Sequence, residues 1–244
     1  MTSDRRSLPA LSIVIPAFNE EQNVEPVVDE VRRVLGSSRW AGKYEVILVN
    51  DGSRDATGGV MDRLAMAYPE LVVVHRQANR GFGAALRSGF ARSRGEHVSL
   101  ITADGEIGPD QVLKLLDAMG DADLIVSRRE RTTTLGREWL SAGAILLGRL
   151  LLGVSLDSIT GIYVVRGDVL RQLPLHSETG LANVEIVMRC REMGRKIVSG
   201  VTQVRPRLSG ESKVTNLSTT LQTIYEMAKL RLTGRHQHAR SVRG

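Results

Sequence analysis

Short apolar, β-branched runs recur through the first 130 residues, and most are followed by a segment whose apolar residues fall at helical spacing. The runs are 11–16 (LSIVIP), 44–49 (YEVILV), 71–75 (LVVVH), 98–102 (VSLIT) and 123–127 (DLIVS). Runs this short, with little polar alternation, read as strands buried on both faces, as in a parallel sheet. Between them Val24, Val27, Val28, Val31 and Leu35 repeat with the period of a helix, as do Val60, Leu64 and Ala67, and later Val112, Leu115, Leu116 and Met119. Asn23 stands where an N-cap belongs and places Pro26 in the first turn, where its missing N–H costs no internal bond. Pro109 opens the later helix in the same way. Strand and helix therefore alternate, which predicts an α/β fold: an open, mostly parallel sheet with helices on both faces.

Beyond residue 130 the pattern loosens. An apolar helix is expected over 140–152, a strand-like piece in 157–166 (DSITGIYVVR), a helix over 184–193, a strand near 197–204 and an amphipathic helix over 217–232. RPRLSGESK, 205–213, is a polar, basic loop. With no internal repeat and no linker, the chain reads as an extension over 1–10, a single domain over 11–232 and a basic tail over 233–244.

The net charge of +6 and a pI near 9.9 would suit nucleic acid or an anionic membrane. Its distribution decides between them. Residues 229–244 carry five cations and no acid, whereas 11–228 hold 26 cations and 26 acids. A neutral body with 4% aromatic residues offers no basic stripe or stacking platform, so nucleic acid is not expected as a partner. The basic end suits an anionic leaflet at about 1 kcal/mol per cation, attenuated by salt; a solvated terminus explains it equally well. A lone cysteine, Cys190, excludes a disulfide within the chain and fits a reducing cytosol. The N-terminal MTSDRRSLPA lacks the apolar core of a signal peptide. The most hydrophobic stretch, 140–156, is 17 residues long with Arg149 inside it, against the roughly 20 apolar residues that a span needs.

Four polar clusters fall at or just beyond the carboxyl ends of expected strands: 16–20, 50–55, 79–83 and 102–106. Ligands of open α/β sheets bind at those ends. Any one cluster is explained by turn chemistry alone, but four together favour a site. The Gly-rich 79–85 segment lacks the spacing and position of a dinucleotide fingerprint. Its glycines suit close backbone approach to a ligand, with a helix N-terminus facing negative charge. Asp104 and Glu106, two residues apart, can point the same way and share a hard cation such as Mg2+ or Mn2+; the alternative is a capping loop before Pro109, which explains Asp110 better. Asp55 is a good helix cap, whereas Asp51 directly after a strand has no equally simple structural role.

IVIPAFNEE, LVNDGSRDAT, NRGFGAALRSGF, TADGEIGPD, SRRER, DSITGIYVVR and RLSGESK, in this order, resemble inverting family 2 glycosyltransferases of GT-A fold, particularly the polyprenyl-phosphate (dolichol-phosphate) mannosyltransferase branch. The likeness runs over about 11–213. It implies that Pro16, Ala17, Asn19, Glu20 and Asp51 line a nucleotide pocket, with Asp51 on the base or ribose, and that Gly81 and Gly83 lie under the nucleotide. It implies a metal motif at Ala103 and Asp104 assisted by Glu106, basic residues Arg128 and Arg137 around an acceptor phosphate, and a closing loop with Arg207, Ser212 and Lys213. Arginines suit bidentate phosphate contacts and Lys213 a point charge. Two positions depart from the family pattern. Thr102 replaces the first carboxylate of the usual D-A-D, which weakens the cation site and leaves Glu106 to restore it in part. Gly161-Ile162-Tyr163 replaces the usual G-F-R.

The implied reaction moves a sugar from a nucleotide-sugar donor (GDP-mannose or a UDP-hexose) to a polyprenyl phosphate, with the enzyme cytoplasmic or peripheral on the inner membrane face. A phosphate acceptor is already anionic and needs alignment and leaving-group stabilisation rather than a strong base. A soluble hydroxyl acceptor would need a carboxylate base, for which Asp157 and Glu185 are the candidates; Glu185 reads equally well as the structural partner of a buried arginine. A degenerate nucleotide-sugar-binding protein is the third alternative. The 140–152 stretch is either core or an interfacial helix serving a lipid acceptor.

Overall fold

The computed structural model describes residues 8–129, 161–207, 225–226 and 229–230. Within these, β1 (Leu11–Ala17), β2 (Tyr44–Asn50), β3 (Leu71–His75), β4 (His97–Leu100), β5 (Leu124–Arg129), β6 (Tyr163–Arg166) and β7 (Ile197–Thr202) form one sheet in the order β3-β2-β1-β4-β6-β5-β7. Helices α1 (Val24–Gly36), α2 (Thr57–Ala67), α3 (Phe82–Arg92) and α4 (Pro109–Met119) fill the connections between the first five strands; α5 (Gly167–Leu170) and α6 (Ala182–Glu192) follow β6. Only β6 runs against its neighbours β4 and β5. The expected alternation is thus present, with β4 ending at Leu100 rather than residue 102.

The chain lays β1, β2 and β3 outward in one direction, then crosses back over β2 and β1 to place β4 on the far side of β1. Right-handed crossovers travelling in opposite directions put their helices on opposite faces. Accordingly α3 packs on α6, away from α1 and α2, which pack on each other; α4 also packs on α1, although its connection travels the same way as that of α3. The central strands are buried throughout, β1 along its whole length, which is why their sequences do not alternate.

Pro16 is tolerated in this central strand for a specific reason. The Val14 carbonyl accepts the Ile101 N–H at 3.0 Å, so Val14 faces β4. Two residues on, Pro16 faces the same side, but pairing with β4 ends at Val14. No ladder donor is lost there, and the gap beyond β4 begins the crevice described next.

Asn23 occupies the N-cap position of α1, as expected, but without a capping bond from its side chain. Its Nδ2 donates instead to Glu20 Oε2 at 2.6 Å. Pro109 starts α4 as the sequence suggests.

Candidate active site

The connection reverses direction between β1 and β4, the place in an open α/β sheet where ligands bind. Four loops meet around it. The loops after β1 and β2 are stitched together: Asn19 N–H donates to Ser53 Oγ (3.0 Å) and Arg54 N–H to Asn19 Oδ1 (2.8 Å). Glu20 N–H donates to Thr57 Oγ1 at 2.8 Å, and the Glu21 carboxylate accepts Ala56 N–H at 2.8 Å. Asn19 is held in the left-handed region, φ 54°, a conformation that non-glycine residues keep when their surroundings over-determine it. Asp55 stands one residue before the N-cap of α2, Ala56, rather than at it, and its Oδ1 accepts from Thr57 N–H at 3.0 Å.

Asp51 is 3% exposed. Its Oδ1 accepts from Arg76 Nη1 at 2.7 Å and Arg80 N–H at 3.3 Å, and its Oδ2 from Gly81 N–H at 3.1 Å. Burial pushes its pKa above the ordinary 3.8, outweighing the lowering by Arg76 and the two N–H groups. The negative charge facing the start of α3 is therefore the protein's own.

Gly81 and Gly83 correct a sequence expectation. Their close approach is to the 177–179 loop, not to open space. A Cβ on Gly81, whose φ is +92°, would lie 2.5 Å from the Glu178 carbonyl oxygen, and one on Gly83 would lie 2.5 Å from that of Thr179. Gly83 N–H donates to the same Glu178 oxygen at 2.9 Å.

After β4, Thr102, Asp104 and Glu106 are part-exposed while Ala103, Gly105 and Ile107 are buried. The two carboxylates converge on Arg207: its Nη2 is 3.0 Å from Asp104 Oδ2, and its Nε 2.8 Å from Glu106 Oε1. Arg129 Nη1 lies 3.2 Å from Glu106 Oε2. Asp104 Oδ1 accepts from the Thr102 hydroxyl (2.6 Å) and Glu106 N–H (3.1 Å). All four carboxylate oxygens thus have a donor, and Thr102 orients Asp104 in place of adding charge. The segment after β7 delivers Arg207. Gln203 N–H donates to Gln111 Oε1 (3.0 Å), Arg205 N–H to the Glu106 carbonyl (2.9 Å) and Arg205 Nε to the Gly105 carbonyl (2.6 Å), while the Arg205 guanidinium pairs with Glu30 of α1.

Two carboxylates bracketing one positive charge fit a divalent ion, with Arg207 as the stand-in cation. No group of three or more His, Cys, Asp or Glu among the described residues is placed to hold a metal ion by itself. The protein would therefore supply Asp104 and Glu106, with further oxygens coming from a bound diphosphate, the common pattern for Mg2+.

The remaining expected residues divide clearly. Pro16 and Ala17 end β1 at the crevice, and Ala103 is buried at 3% exposure beneath the carboxylate loop. Arg128 is exposed, and because neighbours along a strand face opposite ways, it is Arg129 that reaches Glu106. Glu185 is fully buried; its Oε2 accepts N–H bonds from His176 (2.9 Å) and Ser177 (2.8 Å), and its Oε1 lies 3.6 Å from Arg189 Nη2. That arrangement answers the structural alternative rather than the catalytic base, since a base must reach an acceptor proton. Arg137, Asp157, Ser212, Lys213, the 140–152 stretch and the tail 233–244 lie outside the described residues. Sequence reasoning missed Arg76, Arg129 and Arg205. The first two adjoin strand ends and belong to cation-rich strings; nothing local identifies their partners, which are 23 or more positions away.

Residues 12–170 match the family model of glycosyl transferase family 2. The chain is 31% identical over 245 residues to polyprenol monophosphomannose synthase of Mycolicibacterium smegmatis, spanning 94% of this chain and 90% of that protein. It is 30% identical over 214 residues to undecaprenyl-phosphate mannosyltransferase of Micrococcus luteus, spanning 82% and 86% respectively. Among solved structures, glucosyl-3-phosphoglycerate synthase from Mycobacterium tuberculosis in complex with Mn2+, uridine diphosphate and glucosyl-3-phosphoglycerate shares the fold. The TM-score is 0.66 at 22% identity, over 91% of this chain and 80% of that one.

Proposed function

The chain belongs to glycosyl transferase family 2 and is a glycosyltransferase, and we propose that it transfers a hexose from a GDP- or UDP-sugar to a polyprenyl phosphate at the cytosolic membrane face. The observation that carries this reading is the convergence of Asp104 and Glu106 on Arg207 beyond the carboxyl end of β4. Extensive likeness to two polyprenyl-phosphate enzymes supports the acceptor class. Among the described residues no helix is long and apolar enough to cross a membrane.

In this reading the loops after β1 and β2 hold the nucleoside, with Asp51 accepting hydrogen bonds from base or ribose. A divalent ion, when bound by Asp104 and Glu106, supplies positive charge to the diphosphate leaving group. Arg129, and Arg207 once the ion takes its place between the carboxylates, supply guanidinium donors to phosphate oxygens. Arg137, Ser212 and Lys213 extend this anion set by sequence position. A phosphate oxygen of the acceptor attacks the sugar C1, the C1–O bond to the diphosphate breaks, and its electron pair leaves with the nucleoside diphosphate. The configuration at C1 inverts. The acceptor oxygen arrives anionic, so the buried Glu185 is not required as a base.

The test is titration with GDP-mannose, UDP-glucose and UDP-N-acetylglucosamine, with and without Mn2+, followed by assay on a short polyprenyl phosphate. One sugar nucleotide is expected to bind and to support transfer to the lipid phosphate. Turnover on a soluble acceptor alone overturns the acceptor assignment, and failure to bind any sugar nucleotide overturns the reading as a whole. Asp104→Ala is expected to lower turnover by at least about a hundredfold, the scale of losing one charge-stabilising group at a reacting centre; normal turnover in that variant would refute its place at the metal.

A further inference from the structure

The two loops that face the nucleotide in the reading above are tied to a group outside the crevice. Asn50, 8% exposed at the end of β2, accepts Ser53 N–H on its Oδ1 at 2.9 Å. Ser53 Oγ in turn accepts the N–H of Asn19, the residue held at φ 54°. On the other side, Asn50 Nδ2 lies 3.1 Å from His75 Nδ1, and His75 Nε2 lies 2.9 Å from Asp62 Oδ1 on α2.

The proton positions along this chain follow from one fixed donor. The Ser53 N–H is a backbone group and can only donate, so the amide must present its oxygen to Ser53 and its NH2 to His75. His75 Nδ1 must then accept, which places the ring proton on Nε2, where Asp62 accepts it. Each bond fixes the next, and the amide cannot turn over without giving up Ser53.

We infer that Asp62, His75 and Asn50 act as a positioning relay for the nucleotide-facing loops, holding Ser53 and, through it, Asn19 in the geometry that receives the donor. The inference rests on the nucleotide-site reading of those loops. It has a consequence in acid. A doubly protonated ring carries a hydrogen on Nδ1 and confronts the Asn50 NH2 with a second donor, so the relay loses its link to β2. Asp62 is the acidic group facing the ring from α2, and Asn50 is the polar group facing it from β2. Arg76, next along the chain, is turned to Asp51 and does not compete for the ring.

Two variants and two measurements test this. His75→Asn keeps an acceptor at the place of Nδ1 but cannot be protonated; His75→Leu removes the acceptor. The dissociation constants of GDP and UDP, each with Mn2+, are measured from about pH 8 to about pH 5. The wild-type chain is expected to lose affinity on acidification. His75→Asn should bind as wild type at the alkaline end and lose the His75-dependent part of the acid effect. His75→Leu should bind about five- to tenfold more weakly at every pH, the scale of one hydrogen bond. In the free protein, amide exchange at Ser53 and Asn19 should speed up in His75→Leu and be restored in His75→Asn. Unchanged exchange at both amides, or equal nucleotide affinity in His75→Leu and wild type, overturns the relay. Failure of the wild-type chain to bind either nucleotide, with the exchange result intact, instead overturns the nucleotide reading and leaves the hydrogen-bond chain a structural device only.

Discussion

Asp51 is buried but not apolar in its surroundings, and the balance has a definite pH signature. Desolvation favours the protonated carboxyl, while Arg76 and the N–H groups of Arg80 and Gly81 favour the carboxylate; the first is larger, and the pKa rises above 3.8. Between the ordinary and the raised value the folded chain binds more proton than the unfolded one. This group's contribution to stability therefore falls as pH rises through that window and is level above it. Nucleotide affinity should move the other way if the carboxylate is the form that accepts from the base or ribose: it should fall as pH drops through the same window, and Asp51→Asn should flatten that part of a calorimetric titration series. Glu185 makes the contrasting case. Fully buried beside Arg189, which is itself 3% exposed, it should cost about 3–5 kcal/mol when replaced by Ala, because a buried guanidinium loses its partner; urea unfolding measures this. Glu185→Gln retains the acceptor for the His176 and Ser177 N–H groups, and its turnover where folded should match wild type. At this scale residue type was legible in the sequence and facing was not: SRR marks a basic strand end, but whether Arg128 or Arg129 meets the carboxylates depends on which face of β5 the site occupies.

The start of α3 shows what element-level reading captures and what it leaves out. A Gly-rich turn opening a helix after a strand was readable, and the helix begins there. The physical need for the glycines came from another part of the chain. The 175–179 loop is held on every side: Arg87 Nη1 donates to the Leu175 and His176 carbonyls, Glu185 accepts from two of its N–H groups, and Glu226 accepts from Glu178 N–H, Thr179 N–H and the Thr179 hydroxyl. Gly81 and Gly83 let α3 dock against that loop. Gly81→Ala combines a strained φ with a contact at 2.5 Å to a backbone oxygen that cannot rotate away. It should lower unfolding free energy by about 1–3 kcal/mol. It should also weaken nucleotide binding, because Gly81 N–H holds Asp51. Thermal denaturation and nucleotide titration of the one variant check the two effects separately.

Across the whole molecule, the strand-end carboxylates are drawn together with groups from distant parts of the chain. Arg205 joins Glu30 and Arg207 joins Glu106, separations of 175 and 101 residues. The segment after β7 is thereby pinned across α1 and the loop after β4, which fixes where RLSGESK begins. The proposed membrane docking belongs to this scale as well, since the body is charge-neutral and the excess of cations is terminal. The full chain should bind vesicles containing anionic lipid, binding should weaken as salt rises, and removal of 233–244 should reduce it while leaving sugar-nucleotide affinity unchanged; co-sedimentation and titration measure the pair. The alternation of strands and helices, the turn residues at four strand ends and the absence of a basic body were determined by the sequence itself, because periodicity, turn chemistry and net charge are properties of neighbours along the chain. The tertiary structure alone decided that Arg129 rather than Arg128 meets Glu106, that Gly81 and Gly83 serve the 177–179 loop, that Glu185 is sealed against Arg189, and that Arg207 lies between two carboxylates. Glu185 and Arg189 stand four apart on one helix, and there the fold decided only their shared burial; the others are pairings between separate segments, and such partners acquire an address only when the sheet order and the crossing of β3 to β4 bring their loops to one end of the fold.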